Sequence, residues 1–436
     1  MIGRKKDAVL RKRSKESIES KKQIRKRLKS NFKPFSPVEF ARFFGLCIAR
    51  MLCPHKRRLS THWSLSSKGA VPAGTFSAYM TKNRFDELVQ HMHFSDNADP
   101  RAKMDCVWKI RPIIDALQGT FKRGYRVGPF ISFDEGMLPS QSRFNSTRMY
   151  IKDKPHKWGT KMFLTLLPTV SSRGVSVGVL ADIVLTDMYR LEIYCGKKAH
   201  LGGPNTIDDK SGPSAVVRNI EHVLARRRSA YHVVVMDRFY TSVSLLVELL
   251  DRRVYAVGTV QTRRLGFPDD LKDKRKKRPK DIARGSSTCA RSRSVPELVA
   301  VRWWDARPVF LLATGSSLED KTTENENQDV PCPKVVLDYH KHMGGIDVFD
   351  QLRLQRYSVQ LTFRFKKYYK SHYLLMHSHY VRISLALGLL YCALVNAYIV
   401  HKEVFNQADK KPLSHAEFLT TLHQQLLDVK ASDLID

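Results

Sequence analysis

VPCPKVVLDYHKHMGGIDVFDQLRLQR, residues 330–356, is the stretch of sequence around which the fold is most readily worked out. Gly344 and Gly345 permit a sharp turn, and a helix is predicted to begin directly after them. Asp347 and Asp350 are three residues apart, so such a helix carries both carboxylates on one face of its first turn. The positive end of the helix dipole stabilises negative charge there. The pair is therefore interpreted either as cation ligands or as ordinary helix-capping residues.

Two apolar strands elsewhere in the sequence each end near a further aspartate. PFISFDEGM, residues 129–137, alternates as a strand that delivers Asp134 and Glu135 at its end, and YHVVVMD reaches Asp237. Carboxylate oxygens are the ligands that hard divalent cations prefer, and pairs of such cations commonly serve phosphodiester chemistry. The hypothesis is that these aspartates and Asp347 meet at one edge of a sheet. Spacing alone leaves their convergence open.

The periodicity of apolar residues changes along the chain. Ser36-Pro37 with Glu39 predicts a capped helix start, and residues 36–127 carry apolar side chains at helical spacing. From 128 onward, apolar strands alternate with helical segments, which predicts a mixed sheet covered by helices. The apolar segment 383–400 is long enough to suggest a membrane span, but its asparagine and the soluble character of the chain favour a buried core helix.

The net charge of +33 and the pI of about 10.0 indicate a polyanionic partner, with nucleic acid the first candidate and an anionic membrane the second. Residues 1–35 hold 14 Lys or Arg and three Asp or Glu, and are predicted to be a disordered basic tail. The run KDKRKKRPK, residues 272–280, is interpreted equally as a nuclear-localisation signal or as a phosphate-binding loop.

Seven cysteines occur without a CxxC pair or a Cys/His cluster at zinc-binding spacing. They are interpreted as reduced thiols of an intracellular protein. The first 35 residues are charged rather than apolar, so no signal peptide is expected.

Four segments, in this order along the chain, carry a resemblance to a known family: ISFDEGM, RMYIKDKPHKWGTKMFL, VVVMDRFYTSVSLL and HMGGIDVFDQL. Together they resemble the piggyBac-type transposases, over about residues 35–398. The resemblance implies an α/β fold with a ribonuclease-H-like mixed-sheet catalytic core. It also implies that Asp134, Asp237 and Asp347 are catalytic and hold two Mg²⁺ or Mn²⁺ ions, with Asp350 an additional metal ligand.

The same resemblance implies a division of the chain. After the basic tail, an all-helical dimerisation and DNA-binding domain is formed jointly by 36–127 and 356–436. The core comprises 128–263 and 333–355, and a basic insertion, 264–332, interrupts it. The implied partners are double-stranded DNA, at element ends and TTAA targets, and a second copy of the chain in a homodimer, with no membrane. The implied localisation is the nucleus.

Basic side chains near the aspartates are predicted to contact DNA phosphates. These are Lys152, Lys154, Lys157, Lys161, Arg238 and Arg364. For each lysine, a solvated strand edge is an equally good interpretation. Trp158 is expected to fill the core rather than to stack on a base, and Tyr240 is expected to pack structurally.

The sequence also departs from the family pattern. Many members end in a cysteine-rich zinc-binding domain, and no such cysteines precede Asp436. HYLLMHSHYVRISLA, residues 372–386, is interpreted as an insertion or a gene-model error. Three functions therefore remain open: a cut-and-paste transposase, a transposase-derived nuclear DNA-binding protein without catalytic activity, and a membrane-surface protein.

Overall fold

The fold is described from a computed structural model. The residues that the structure describes are 33–53, 59–96, 98–124, 126–152, 154–168, 186–197, 200, 208, 211–225, 231–316, 318, 320–323, 330–354, 357–362 and 374–434. The predicted basic tail and the region around Arg364 lie outside them. So does GVSVGVLADIVL, residues 174–185, an apolar run that the sequence predicts to be a strand.

Helices begin and end the described part of the chain and alternate with strands between. Their bounds are α1 Pro37–Leu52, α2 Lys82–His91, α3 Arg111–Gly124, α4 Ser211–Leu224, α5 Val243–Asp251, α6 Lys334–Leu354, α7 Val359–Thr362, α8 Leu374–Gln407 and α9 His415–Asp428. Short 3₁₀ helices span Leu59–Trp63, Phe76–Ala78, Pro100–Lys103, Asp269–Leu271 and Ala431–Leu434.

A mixed sheet forms the centre of the molecule. The strands are β1 Phe130–Pro139, β2 Arg148–Tyr150, β3 Trp158–Pro168, β4 Thr186–Ile193, β5 His232–Met236, β6 Val254–Thr259, β7 Ser287–Arg291, β8 Leu298–Trp304, β9 Pro308–Thr314, β10 Asp320–Thr323 and β11 Val330–Pro333. Within the described residues, the main sheet has the order β2-β3-β1-β5-β6-β9-β8-β7, and β4 pairs with β3. β10 and β11 form a separate two-stranded sheet.

Parallel pairing is confined to the middle of the sheet. β1 is parallel to β5 and β5 to β6, whereas β3 and β9 lie antiparallel on either side. The parallel connections run through α4 or α5, as crossover connections require. The prediction of a mixed sheet covered by helices is confirmed.

The two faces of the sheet have different covers. On one face, Ile131 and Phe133 of β1 pack with apolar residues of α4 and α5. On the other face, Leu164 and Leu166 of β3 join a core shared with α1, α3, α8 and α9. Burial of apolar surface on both faces explains why β1, β3 and β5 are nearly continuous apolar runs.

The helical region before the sheet begins as predicted. Ser36 Oγ accepts a hydrogen bond from the Glu39 backbone N–H, and the Glu39 carboxylate accepts one from the Ser36 N–H. α1 packs closely on α9 near the other end of the chain, where the Cβ of an alanine at Gly45 would lie 3.1 Å from Leu427. Segments from both ends of the chain thus share one helical core.

The predicted turn at Gly344 and Gly345 is wrong. α6 runs without interruption from Lys334 to Leu354, so Asp347 lies in the middle of a helix rather than on its first turn. Apolar residues are buried on both sides of the glycines, with Val336 before and Phe349 after. Their burial outweighs the cost of about 1 kcal/mol that each glycine adds to a helix.

The segment predicted as an insertion contributes to the central sheet. β9 pairs with β6 through residues 257–259, and β8 and β7 follow it outward. β7, β8 and β9, which all lie within 264–332, therefore extend the sheet of the core. The basic run 272–280 lies between β6 and β7, and most of its lysines are exposed.

The apolar segment 383–400 lies within α8, and much of it is buried against the sheet and the helical core. Among the described residues, one helix, Arg382–Gln407, is long and apolar enough to cross a membrane. Of its most apolar 18 residues, 67% are buried inside the protein. The side chain of Asn396 bonds both backbone groups of Met188 on β4, which fixes this helix to the sheet.

Gly258 permits the close approach of β6 to the end of β5. A Cβ at this position would meet the Thr241 side chain and lie 2.7 Å from the Met236 carbonyl oxygen. We expect Gly258→Ala to lower the free energy of unfolding by about 1–3 kcal/mol, because backbone atoms must shift to admit the methyl group. Urea denaturation measures the loss.

A second glycine provides the control for Gly258→Ala. At Gly119 in α3, the nearest atom to a new Cβ is Arg123 Nη1 at 4.0 Å, so Gly119→Ala should raise the free energy of unfolding by about 0.5–1 kcal/mol. Equal effects at the two sites would contradict the packing argument.

Candidate active site

Asp134 and Asp237 are brought side by side by the central parallel strands. The register of β1 and β5 pairs Phe133 with Met236. The residue that follows each of them in the chain is an aspartate, Asp134 or Asp237. β5 ends at Met236, and the chain then turns into α5. β1 continues to Pro139, so the expectation that Asp134 stands at the end of its strand is wrong. β1 is longer than predicted because residues 134–139 pair with β3.

The turn after β5 holds Asp237 in place. The Phe239 backbone N–H donates to Asp237 Oδ1 at 2.7 Å, and Thr241 Oγ1 donates to the Asp237 carbonyl at 2.8 Å. α5 then starts with Ser242 as its N-cap. A carboxylate bonded to the backbone at one oxygen keeps a fixed direction and leaves its second oxygen available.

α6 runs alongside β1 and carries the third aspartate to the same place. Near its middle, the His342 carbonyl accepts a hydrogen bond from Ser132 Oγ at 2.9 Å. Near its end, Arg353 Nη2 donates to the Met137 carbonyl at 2.8 Å. Asp347 lies midway between these two contacts and is exposed, so it is level with the middle of β1.

The pKa of Tyr339 on α6 is affected by the charges of all three aspartates. Burial raises the pKa of Tyr339 to about 12, against the hydrogen bond with Thr259, and the charges of Asp237, Asp134 and Asp347 raise it further. A side chain responds in this way only to charges in its neighbourhood. The three aspartates that the sequence predicts therefore all lie within electrostatic reach of Tyr339.

The carboxylates beside Asp134 differ in their pKa values. Burial raises the pKa of Asp134 well above its usual range, and the adjacent Glu135 raises it further. Burial likewise raises the pKa of Asp237, although the Phe239 N–H opposes it. At Glu135, burial is outweighed by Lys161 and by the Tyr240 hydroxyl, which donates to its Oε2 at 2.6 Å, so its pKa is lowered.

Two lysines enter this acidic cluster. Lys154 Nζ donates to the Glu135 carbonyl at 3.0 Å and lies 3.5 Å from Asp350 Oδ2. Burial opposes its charge, but the carboxylates of Asp350, Asp134 and Glu135 prevail and raise its pKa. Burial lowers the pKa of Lys161, which lies 3.9 Å from Glu135 Oε2.

Asp350 has contacts that differ from those expected of a metal ligand. Its Oδ1 accepts a hydrogen bond from the buried Arg353 at 2.8 Å, and its Oδ2 faces Lys154. Both oxygens thus already contact cations. The predicted metal role of Asp350 requires that one of these contacts be exchanged.

The donor set suits a hard divalent cation. Within the described part of the chain, no group of three or more His, Cys, Asp or Glu side chains is placed to hold a metal ion by itself. Mg²⁺, however, is usually bound through one or two carboxylates, with waters and substrate phosphates completing its shell. Asp134 and Asp237 supply such a pair, and Asp347 borders it.

The residues predicted to contact DNA differ in their exposure to solvent. Lys152, Lys157 and Arg238 are exposed, while Lys154 and Lys161 are partly buried among the carboxylates. Arg364 lies outside the described residues. Tyr240 is fully buried, as expected, but its hydroxyl also orients Glu135.

The expectation that Trp158 fills the core is wrong. It is 41% exposed at the start of β3, edge-on to Tyr150 and beneath the Arg148 guanidinium at 4.3 Å. β2 and the first residues of β3 form the margin of the sheet, where one face meets solvent.

His342 couples the docking of α6 to pH. Its ring stacks on Phe130 with centroids 3.9 Å apart, and burial lowers its pKa to about 4. The unfolded chain binds a proton near pH 6.5 and the folded chain does not, so stability is fully present above pH 6.5 and is lost as the pH falls towards 4. We expect this loss to be at most about 3 kcal/mol.

The measurement for His342 is urea denaturation of the wild type and His342→Phe at pH 7 and pH 4.5. The phenylalanine retains the ring contact with Phe130 and removes the titrating group. The wild type should lose more stability than the variant over this interval, and parallel losses would refute the assignment.

Sequence reasoning gave Glu135 no role and missed Tyr339 and the pairing of Lys154 with Asp350. Glu135 follows Asp134 directly, which was a usable signal because neighbouring carboxylates shift one another's pKa. The contacts of Tyr339 and Lys154 depend on how α6 docks on β1, and nothing local in the sequence encodes that.

The family is established by comparison with known proteins. A family model described as Transposase IS4 matches residues 14–398, and the chain belongs to this transposase family. The relatives that it resembles within this class are of the piggyBac type. It is 26% identical over 355 residues to the human PiggyBac transposable element-derived protein 3, covering 78% of this chain and 51% of the relative.

Further comparisons agree with this assignment. The human PiggyBac transposable element-derived protein 2 is 26% identical over 300 residues, which cover 66% of this chain and 45% of the relative. The chain thus spans about half the length of these curated relatives. A cryo-EM structure of a piggyBac transposase synaptic complex with hairpin DNA matches with a TM-score of 0.63 at 20% identity, covering 91% of this chain and 72% of that one. The likeness confirms the ribonuclease-H-like mixed α/β fold.

Proposed function

We propose that this protein is a cut-and-paste DNA transposase of the piggyBac type, which cleaves and joins DNA strands with Mg²⁺ or Mn²⁺. The observation that carries the proposal is that Asp134 and Asp237 directly follow paired residues of β1 and β5, and that both, with Asp347 of α6, lie within electrostatic reach of Tyr339. Membership of a transposase family supports a role of these carboxylates in DNA strand cleavage.

Asp134 and Asp237 are the residues proposed to hold the metal, with Asp347 as third ligand and Asp350 as an additional one. When bound, two divalent ions supply Lewis acidity and lower the pKa of an attacking water. Burial raises the pKa of Asp134 and Asp237, so both must lose any bound proton before they act as ligands. Glu135, with its pKa lowered, stays charged and retains Lys161 beside the site.

The basic side chains are proposed to receive the DNA backbone. Lys152 and Lys157 are exposed on the segment that leads into β3, and Lys154 and Lys161 reach the carboxylates themselves. Together with Arg238 and Arg364, they would neutralise phosphates that approach the acidic cluster. The net charge of +33 supports the same partner.

The reaction proposed from the family resemblance has three steps. Water first attacks a phosphodiester bond at the element end and leaves a 3′ hydroxyl. That hydroxyl attacks the opposite strand to form a hairpin, and a later strand transfer joins the element to a TTAA target. Because two ends must be handled together, we propose a homodimer that acts in the nucleus.

A second candidate is a transposase-derived nuclear DNA-binding protein without strand cleavage. The specific observation in its favour is Asp350, both of whose oxygens contact cations. This candidate predicts salt-sensitive DNA binding that is unaffected by replacing any of the three aspartates.

The test is a nicking assay with the purified protein on supercoiled DNA that carries its own element ends. Nicking with Mg²⁺ or Mn²⁺, and none with EDTA, is the expected result. DNA binding without nicking in either metal would favour the second candidate. Absence of DNA binding at low salt would exclude both.

A further inference from the structure

Phe239 is an exposed aromatic residue beside the candidate active site. It is 46% exposed, whereas its neighbour Tyr240 is fully buried. An aromatic side chain buries a large apolar area when it finds a partner, so the exposed ring two residues from Asp237 has apolar surface available to a ligand at the site.

The ring of Phe239 has a fixed position. Its backbone N–H bonds Asp237 Oδ1 at 2.7 Å, and its carbonyl accepts a hydrogen bond from Arg264 Nη2 at 2.6 Å. The ring meets Tyr240 edge-on, with centroids 5.1 Å apart. Behind it is Gly212, where a Cβ would lie 3.0 Å from Phe239 Cε1. These hydrogen bonds hold the backbone of Phe239 at its N–H and at its carbonyl, and the contact with Gly212 leaves the ring little space to move.

Basic side chains lie near the Phe239 ring. Lys161 Nζ lies 4.8 Å from the ring centroid, and Arg238 next to it is exposed. The segment that supplies Arg264 also carries exposed Arg263 and Leu265, which is 95% exposed. An exposed apolar ring with a lysine over one face suits a nucleotide, whose base can pack on the exposed part of the ring and whose phosphate is anionic.

We propose that Phe239 is a stacking platform for an unpaired base of the DNA strand that enters the active site. The inference rests on the proposed function, because a phosphate at Asp134 and Asp237 brings the adjoining base to this ring. A base in a regular duplex stacks on its neighbours, so the base at Phe239 has left the stack. Phe239 thereby favours distorted or single-stranded DNA at the cut site over intact duplex.

The test is a binding measurement in EDTA, which is independent of cleavage. Fluorescence anisotropy compares a blunt 30-base-pair duplex with the same duplex carrying an unpaired 3′ extension. We expect Phe239→Ala to weaken binding of the extended DNA by about tenfold and to leave binding of the blunt duplex unchanged. Phe239→Trp should retain the preference, and Phe239→Leu, which retains apolar packing without a flat ring, should lose it.

Tyr231 supplies a matched control. It is 52% exposed and precedes the same strand, β5, at the end opposite to Asp237. Tyr231→Ala should bind both DNAs as the wild type does. A loss equal to that of Phe239→Ala would overturn the proposal, as would full retention of the preference by Phe239→Leu.

Photo-crosslinking gives a second readout. 5-Iododeoxyuridine in the unpaired extension should crosslink to Phe239, and crosslinks confined to other residues would contradict the proposal. The two hypotheses fail separately. A protein that does not nick DNA but shows the Phe239 effect loses only the proposed function. A protein that nicks DNA without the Phe239 effect loses only the platform.

Discussion

Asp237→Asn is expected to abolish metal-dependent nicking, with a rate reduced by about a thousandfold or more. The substitution retains the side-chain shape and the hydrogen bond from the Phe239 N–H but removes the negative charge. The loss of charge weakens the hold on a hard cation beside Asp134. The measurement is the initial rate of nicking at saturating Mn²⁺.

The control for Asp237→Asn is Asp270→Asn, the same change at an exposed aspartate in a short 3₁₀ helix. It should nick DNA as the wild type does. Both variants should bind DNA at low salt with similar affinity, because the phosphate contacts are made by lysines and arginines. An Asp237→Asn protein that nicked within a few-fold of the wild-type rate would rule out the assigned role.

Arg353→Ala is expected to lower the free energy of unfolding by about 3–5 kcal/mol. Arg353 is 1% exposed and donates from one nitrogen to both Asp350 Oδ1 and the Met137 carbonyl. Its removal leaves the Met137 carbonyl unpaired and Asp350 with only Lys154 as a partner, and it opens a cavity between α6 and β1. Urea denaturation measures this loss.

A double variant separates the contribution of the ion pair to stability from the contribution of packing. Asp350→Asn combined with Arg353→Met removes both charges while filling most of the volume, and it should recover part of the stability lost in Arg353→Ala. Arg284→Ala, which breaks an exposed pair with Asp305, should have little effect. A loss below about 1 kcal/mol for Arg353→Ala would contradict the assigned role of this side chain.

Periodicity and capping in the sequence predicted the elements that position the site. The Ser36 capping box and the strand that ends before Asp237 both occur where their local signals stand. These signals act over a few residues and need no knowledge of tertiary contacts.

The predictions that were wrong share one physical cause, which is contact between parts of the chain that are far apart in sequence. Gly344 and Gly345 suggest a turn only until the apolar residues on both sides are seen to pack on the sheet. The extension of β1 beyond Asp134 depends on pairing with β3. The contact of Asp350 with Lys154 and that of Arg353 with Met137 each join segments about 200 residues apart.

The central proposal, that Asp134 and Asp237 hold a divalent cation with Asp347 beside them, is tested most directly by Mn²⁺ binding in the absence of DNA. Electron paramagnetic resonance reports free Mn²⁺ during titration of the wild type, Asp134→Asn, Asp237→Asn, Asp347→Asn and Asp270→Asn. Each of the first three variants should bind Mn²⁺ at least about tenfold more weakly than the wild type, and Asp270→Asn should match it. Equal affinity in all five proteins would contradict the claim.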